Sequence, residues 1–181
     1  MGLLSKIFGK IDYLKRTIAV FYWYPSAKAY TIEPYKYREA EDKSSFLQTN
    51  YDSNREECLK RIQEGHILCY LEDKEEVISY GWVNPTGKHL LGELNLDMDL
   101  HNTDILYDFH TSQEYRGRGL YPLLLRKICA RNEKAKLIYA FPDNHSSIKG
   151  IKKAGFKFAG NLRGFNKNKY KKLINNAKNN F

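Results

Sequence analysis

Leu3, Leu4, Ile7, Phe8, Ile11, Leu14 and Ile18 recur at three- and four-residue steps, with Lys6, Lys10, Asp12 and Arg16 between them. That spacing predicts an amphipathic helix with a basic outer face. Such a stripe packs on the chain's own domain or in a homodimer, or lies in the plane of an anionic membrane surface through residues 1–21. Pro25 and Ser26-Ala27-Lys28 read as a link, and the core begins near Ala29. Residues 29–33 read as a strand ended by Pro34. Ser53-Asn54-Arg55-Glu56 has capping-box spacing and opens a short helix with Cys58, Leu59 and Ile62 inward and Gly65 as its stop. Residues 66–71 and 76–83 are β-rich runs around a charged turn, which predicts a hairpin. Residues 90–96 and 104–111 read as further strands. Residues 118–131 read as a helix burying Leu120, Leu123, Leu124, Leu125 and Ile128. A strand over 136–141, a helix over 145–154 closed by Gly155 and a last strand over 156–162 follow. The Lys/Asn-rich end from Asn166 is a frayed tail, a strand or a helix. The elements add up to a mixed α/β domain, in which a meander of strands runs into a β-turn-α-β-α-β unit.

Composition narrows the class. The 181 residues suffice for one domain with a full core. The net charge of +9 sits at the ends: residues 1–28 carry +4, residues 164–181 carry +5, and residues 29–163 balance at 20 basic and 20 acidic. This divides the chain into an N-terminal helix and linker (1–28), a neutral central domain (29–163) and a basic tail (164–181). A neutral centre argues against nucleic acid as the partner, because nucleic-acid-binding domains carry the positive surface themselves. Cys58, Cys69 and Cys129 have neither Cys-x-x-Cys nor paired-histidine spacing, so no metal site or disulfide framework is expected, and a reducing cytoplasm is the expected compartment. No apolar run approaches the roughly 20 residues that span a bilayer. The interleaved charges of the first residues do not fit a secretory signal.

The candidate chemistry lies where the strand over 104–111 meets the next helix. Gly117 and Gly119 let a ligand approach bare backbone, and the amides of Tyr115 to Tyr121 converge with the unpaired donors of the first helical turn. Such a corner favours an anion, and Arg116 and Arg118 add positive charge. Pro122 falls where a missing N–H costs nothing. The spacing is neither a nucleotide P-loop nor the dinucleotide Gly-x-Gly-x-x-Gly. On the turn alone, an anion site and a purely geometric use of glycine remain equal alternatives.

Glu114-Tyr-Arg-Gly-Arg-Gly119-Leu resembles motif A of the GNAT superfamily of N-acetyltransferases. Asn144-x-x-Ser147 leading to Lys153-Ala-Gly155-Phe156 resembles its motif B, and the two stand in register about one helix and one strand apart. The resemblance implies a largely antiparallel sheet of six or seven strands, splayed at the centre and flanked by helices, with the N-terminal amphipathic helix as an extra. It also implies acetyl-CoA as co-substrate. Its pyrophosphate would lie on Tyr115, Arg116, Gly117, Arg118, Gly119 and Leu120, and its pantetheine arm on the backbone of Phe109 and Thr111 and on Asn144, which also suits a helix N-cap. The sequence departs from the family at Glu114, in place of Gln or Arg, and at Ile151, where many members carry the tyrosine that serves the leaving thiolate.

The implied reaction is direct attack of a neutral amine on a thioester, with no nucleophile on the protein. Asp108 and His110, at alternate positions of one strand and so expected on one face opposite Tyr107 and Phe109, are candidate bases together with Glu93. The run from Tyr107 to Tyr121 and the segment from Ser147 to Phe156 are similar to bacterial members linked to surface-polysaccharide assembly. That similarity implies an amino-sugar acceptor, nucleotide- or lipid-linked, in the cytoplasm or at the inner membrane face. The competing readings are a protein or peptide N-acetyltransferase and a catalytically degenerate coenzyme-A-binding scaffold.

Overall fold

The computed structural model describes residues 16–25, 35–49, 51, 54–164 and 169–178. Strand β1 (Thr17–Trp23) reads TIAVFYW and is buried at all but its first position. Ala19, Phe21 and Trp23 enter one core cluster, while Ile18, Val20 and Tyr22 enter another on the opposite face. A strand buried on both faces reads as a continuous apolar run of β-branched and aromatic residues. This corrects the expectation of a helix and linker up to residue 28, since the domain's core already begins at Thr17. The rest of the N-terminal stripe (residues 1–15) and the strand expected at 29–33 lie outside the described residues.

The order continues through β2 (Lys36–Ala40), α1 (Lys43–Leu47), α2 (Arg55–Gln63), β3 (Ile67–Asp73) and β4 (Glu76–Asn84). The N-cap of α2 is Asn54, whose side chain accepts from the Glu57 amide, one residue later than the Ser53 expected from the capping-box spacing. The single strand expected over 90–96 is instead two, β5 (Lys88–Leu91) and β6 (Leu96–Asp99), joined by a 3₁₀ turn. Gly92 opens that turn and Asn95 closes it at φ 46, a left-handed conformation that asparagine tolerates. Then come β7 (Thr103–Thr111), α3 (Leu120–Cys129), β8 (Ala135–Ala140), α4 (His145–Lys153) and β9 (Lys157–Arg163). The basic end forms α5 (Tyr170–Lys178), a helix seated on the core through Tyr170, Leu173 and Ile174.

Among the described residues the main sheet has seven strands in the order β2-β3-β4-β7-β8-β1-β9, with β5–β6 a separate hairpin. Neighbours run antiparallel except β7 and β8, which are parallel. Helices α3 and α4 cover one face; α1 and α2 at one end and α5 at the other cover the opposite face. No helix among the described residues is long and apolar enough to cross a membrane.

Two features of β7 shape the site. It pairs with β8 only from Thr103 to Leu106, against Ala135 to Ile138, and beyond that point the strands part. On its other side Tyr107 faces Trp82 and His110 faces Tyr80, so both Asp108 and Phe109 oppose Gly81. Two residues against one make a β-bulge. Asp108 takes φ 53, and a Cβ at Gly81 would collide with the Phe109 ring.

Candidate active site

At the corner after β7, a 3₁₀ turn (Gln113–Tyr115) closes through Tyr115 N–H to Ser112 O, 2.9 Å, and Arg116 N–H to Gln113 O, 3.2 Å. These two amides, expected as ligand donors, are therefore engaged within the turn. The amides of Gly117, Arg118, Gly119, Leu120 and Tyr121 have no backbone partner among the described residues. Gly117 and Gly119 both sit at φ 79, and the left-handed Gly119 starts α3 at Leu120 instead of Arg118, with no side-chain cap. A Cβ on Gly117 would meet nothing within 4 Å, and one on Gly119 would meet only Lys153 Nζ at 4.0 Å. The corner is braced from outside: Arg116 Nε donates to Thr111 O at 3.0 Å, Tyr115 donates to Asp73 at 3.1 Å, and Arg118 lies 4.8 Å over the Tyr115 ring. Five free amides at a helix N-terminus, with open space above and cations around, fit a diphosphate.

Where β7 and β8 part lies a cleft of about 430 Å³, which Tyr121, the last residue of the corner's amide run, lines. Tyr121, Phe141, Asn144 and Ser147 line the helix side, and Phe109, Ile138 and Ala140 line the sheet side. Arg61, Glu93, Tyr107, Asp108 and Tyr139 line its polar end. Of the residues expected from sequence, Phe109, Asn144, Asp108 and Glu93 thus meet in one space. His110 does not: its ring stacks on Tyr80, 5.6 Å away at 28°. The bulge is the cause. Phe109 joins the cluster under α3, whereas Tyr107 joins the one on the opposite face, so the simple alternation expected for Tyr107 to His110 is broken. Asp108 Oδ2 accepts from Arg61 Nη1 at 2.5 Å, while Glu93 makes no ion pair or side-chain hydrogen bond among the described residues. Asn144 caps α4, its Oδ1 accepting from Ser147 N at 3.1 Å, and it also lines the cleft.

Beneath the polar end runs an array that sequence reading missed. His66 Nδ1 and Tyr107 Oη are 2.5 Å apart, His89 Nε2 and Tyr139 Oη are 3.1 Å apart, and the His89 and Tyr107 rings lie 4.8 Å from one another. The four rings come from the α2–β3 turn, β5, β7 and β8, so no local motif marks them. Burial pushes both tyrosines up and both histidines down, His89 to about 4 with His66 and Arg61 adding to the effect. A histidine depressed in the folded state contributes stability above its unfolded pKa of about 6.5, and that stability is lost as pH falls toward 4. Urea unfolding between pH 7.5 and 4 is expected to show a loss of up to about 3 kcal/mol, shallower in His89→Gln; an equal slope in that variant would remove His89 as the cause.

Residues 23–156 match the model of the Acetyltransferase (GNAT) family. A comparison with curated proteins yields no match. Among solved structures, a GNAT-family acetyltransferase of Colwellia psychrerythraea aligns at TM-score 0.51 and 16% identity, over 80% of this chain and 53% of its own. A GNAT-family protein of Novosphingobium aromaticivorans aligns at 0.53 and 15%, over 81% and 61%. A GCN5-related N-acetyltransferase of Sphaerobacter thermophilus aligns at 0.51 and 14%, over 87% and 53%. The chain therefore spans between half and two thirds of the length of these proteins, and at such identities they speak to fold alone. The family model covers most of the chain, including the bulged strand, the glycine corner and the start of β9's turn; the chain belongs to the acetyltransferase (GNAT) family, whose co-substrate is acetyl-CoA.

Proposed function

We propose that the protein is an N-acetyltransferase that passes the acetyl group of acetyl-CoA directly to a primary amine, and that the acceptor is an amino sugar. The observation that carries this reading is the run of free amides from Gly117 to Tyr121, whose last residue lines the cleft where β7 and β8 part. Acetyl-CoA brings the activated thioester. The amides of Gly117 to Leu120 hold its diphosphate, with Arg118 and Lys153 near, and the Phe109 backbone and Asn144 lie along the arm. Fixing both reactants in one cleft supplies most of what a direct transfer needs. Glu93 is the base: it lines the cleft without a partner among the described residues, Asp108 is occupied by Arg61, and His110 lies outside.

The polar end supports a compact acceptor. Tyr107 and Tyr139 offer aromatic faces for a ring, and Glu93, Asp108 and Arg61 offer partners for hydroxyls and an ammonium. Uncovering a lysine-like amine of pKa near 10.4 at pH 7 costs about 4–5 kcal/mol, against about 1 kcal/mol for an amine near 7.7, such as an α-amine or sugar amine. The motif similarity to bacterial members of surface-polysaccharide assembly favours the same acceptor. Thiol release from acetyl-CoA should be followed with free and nucleotide-linked amino sugars, α-amino peptides and lysine peptides. Turnover is expected with the amino sugars. Release with peptides alone would move the acceptor to protein, and coenzyme binding without any amine-dependent release would make the chain a scaffold, the outcome Ile151 leaves open.

A further inference from the structure

The Tyr121 side chain has no part in the steps above, yet it is held more firmly than its place in a first helical turn requires. Its amide is the last of the five free donors, and its side chain leaves the corner and crosses to α4. There the ring lies over Gly150, where a Cβ would collide with it, and packs 5.4 Å from the Phe109 ring. Its hydroxyl stands 3.2 Å from Ser147 Oγ, on the helix side of the cleft. Ile151, the next residue of α4, is fully buried in the core. Where similar proteins offer a tyrosine from this helix, α4 therefore offers a glycine slot filled by a tyrosine from α3.

We propose that the Tyr121 hydroxyl donates a hydrogen bond to the departing thiolate, supplying from α3 the donor that α4 lacks. The inference rests on the acetyl-transfer reading. As the acceptor nitrogen's lone pair closes the N–C bond, the C–S pair passes to sulfur. Tyr121 keeps its proton and shares it with that sulfur. The surplus proton on nitrogen passes to Glu93, and solvent later protonates the released thiolate. Burial pushes Tyr121 up to about 12 against the opposing hydrogen bond with Ser147, so the phenol stays protonated at neutral pH and available as a donor. A donor aimed at charge that appears only as the bond breaks favours the transition state over the ground state.

The test compares the chain with Tyr121→Phe, which keeps the ring in its slot. Affinity for free coenzyme A is measured by calorimetry between pH 7 and 9.5, through the ionisation of an alkyl thiol at about 8.5. The parent is expected to bind the thiolate about tenfold tighter than the thiol, as a charge-assisted hydrogen bond requires, and desulfo-coenzyme A to show no such rise. Tyr121→Phe should lose the rise while binding within about threefold of the parent at pH 7. Its single-turnover acetyl transfer should fall about 10²-fold. If the parent binds coenzyme A and Tyr121→Phe keeps both the pH rise and the transfer rate, this inference alone is overturned. If the parent binds no coenzyme at all, the acetyl-transfer reading falls and takes the inference with it.

Discussion

A Gly119→Glu variant is expected to lose affinity for coenzyme A and acetyl-CoA by more than about 100-fold while remaining folded, because a carboxylate would stand where an anion must sit. The site has room for the side chain, since a Cβ there meets only Lys153 Nζ at 4.0 Å. The structural penalty is the left-handed backbone at φ 79, about 1–2 kcal/mol for a residue with a Cβ. That corresponds to a fall in melting temperature of about 2–8 °C for a domain of this size. Gly65→Glu is the matched control: it stands at φ 82 with nothing within 4 Å of a Cβ, far along the chain from the corner. It should share the thermal penalty and bind normally. Calorimetry reads both. Micromolar binding retained in Gly119→Glu would count decisively against the corner as the diphosphate site.

The second large effect lies at the other end of the parallel pair. Asp104 and Lys136 are register partners on β7 and β8, both fully buried, with Lys136 Nζ 3.4 Å from Asp104 Oδ2. Lys136 Nζ also donates to the Asn132 and Lys134 carbonyls, and burial lowers its pKa while Asp104 opposes that shift. Removing one partner of a buried pair leaves an uncompensated charge, at about 3–5 kcal/mol. Asp104 keeps the Asn132 amide at 3.1 Å and Lys134 at 3.7 Å, so Lys136→Met is expected near the low end, about 3 kcal/mol, or about 6–12 °C in melting temperature. Asp104→Leu with Lys136→Met should recover most of that loss, as paired apolar replacements of buried ion pairs do. A single-variant cost below about 1 kcal/mol would show that Lys136 is not what holds the carboxylate.

What could be read from sequence follows the range of the interactions involved. The glycine corner was legible because its determinants are local: two glycines, flanking arginines and a proline at a strand-to-helix junction all act within ten residues. The bulge was not, because the run from Tyr107 to Thr111 carries no mark of the residue that interrupts it. Asp108 leaves the alternation only because Gly81, on a different strand, makes room for Phe109. That hidden step leaves the His110 ring against Tyr80, apart from the cleft that Asp108 lines. Ile18 continued the helical spacing of the residues before it, while the uniform burial that makes Thr17–Trp23 a strand depends on two partners more than a hundred residues away. The His66, Tyr107, His89 and Tyr139 array is likewise a product of pairing between separate elements, and Tyr121 gains meaning only beside Gly150.

The position of β1 bears on how the chain reaches this state. It is the first of the described strands to be made but lies between β8 and β9, so one flanking position stays empty until β8 (Ala135–Ala140) has been made and the other until β9 (Lys157–Arg163) has been made. Until then, a seven-residue, mostly apolar segment of high strand propensity waits without its neighbours. Closure of that half of the sheet is therefore a late, long-range event, slower than the local β3–β4 hairpin. Shielding of the nascent Thr17–Trp23 segment over that interval is expected to raise the yield of folded protein.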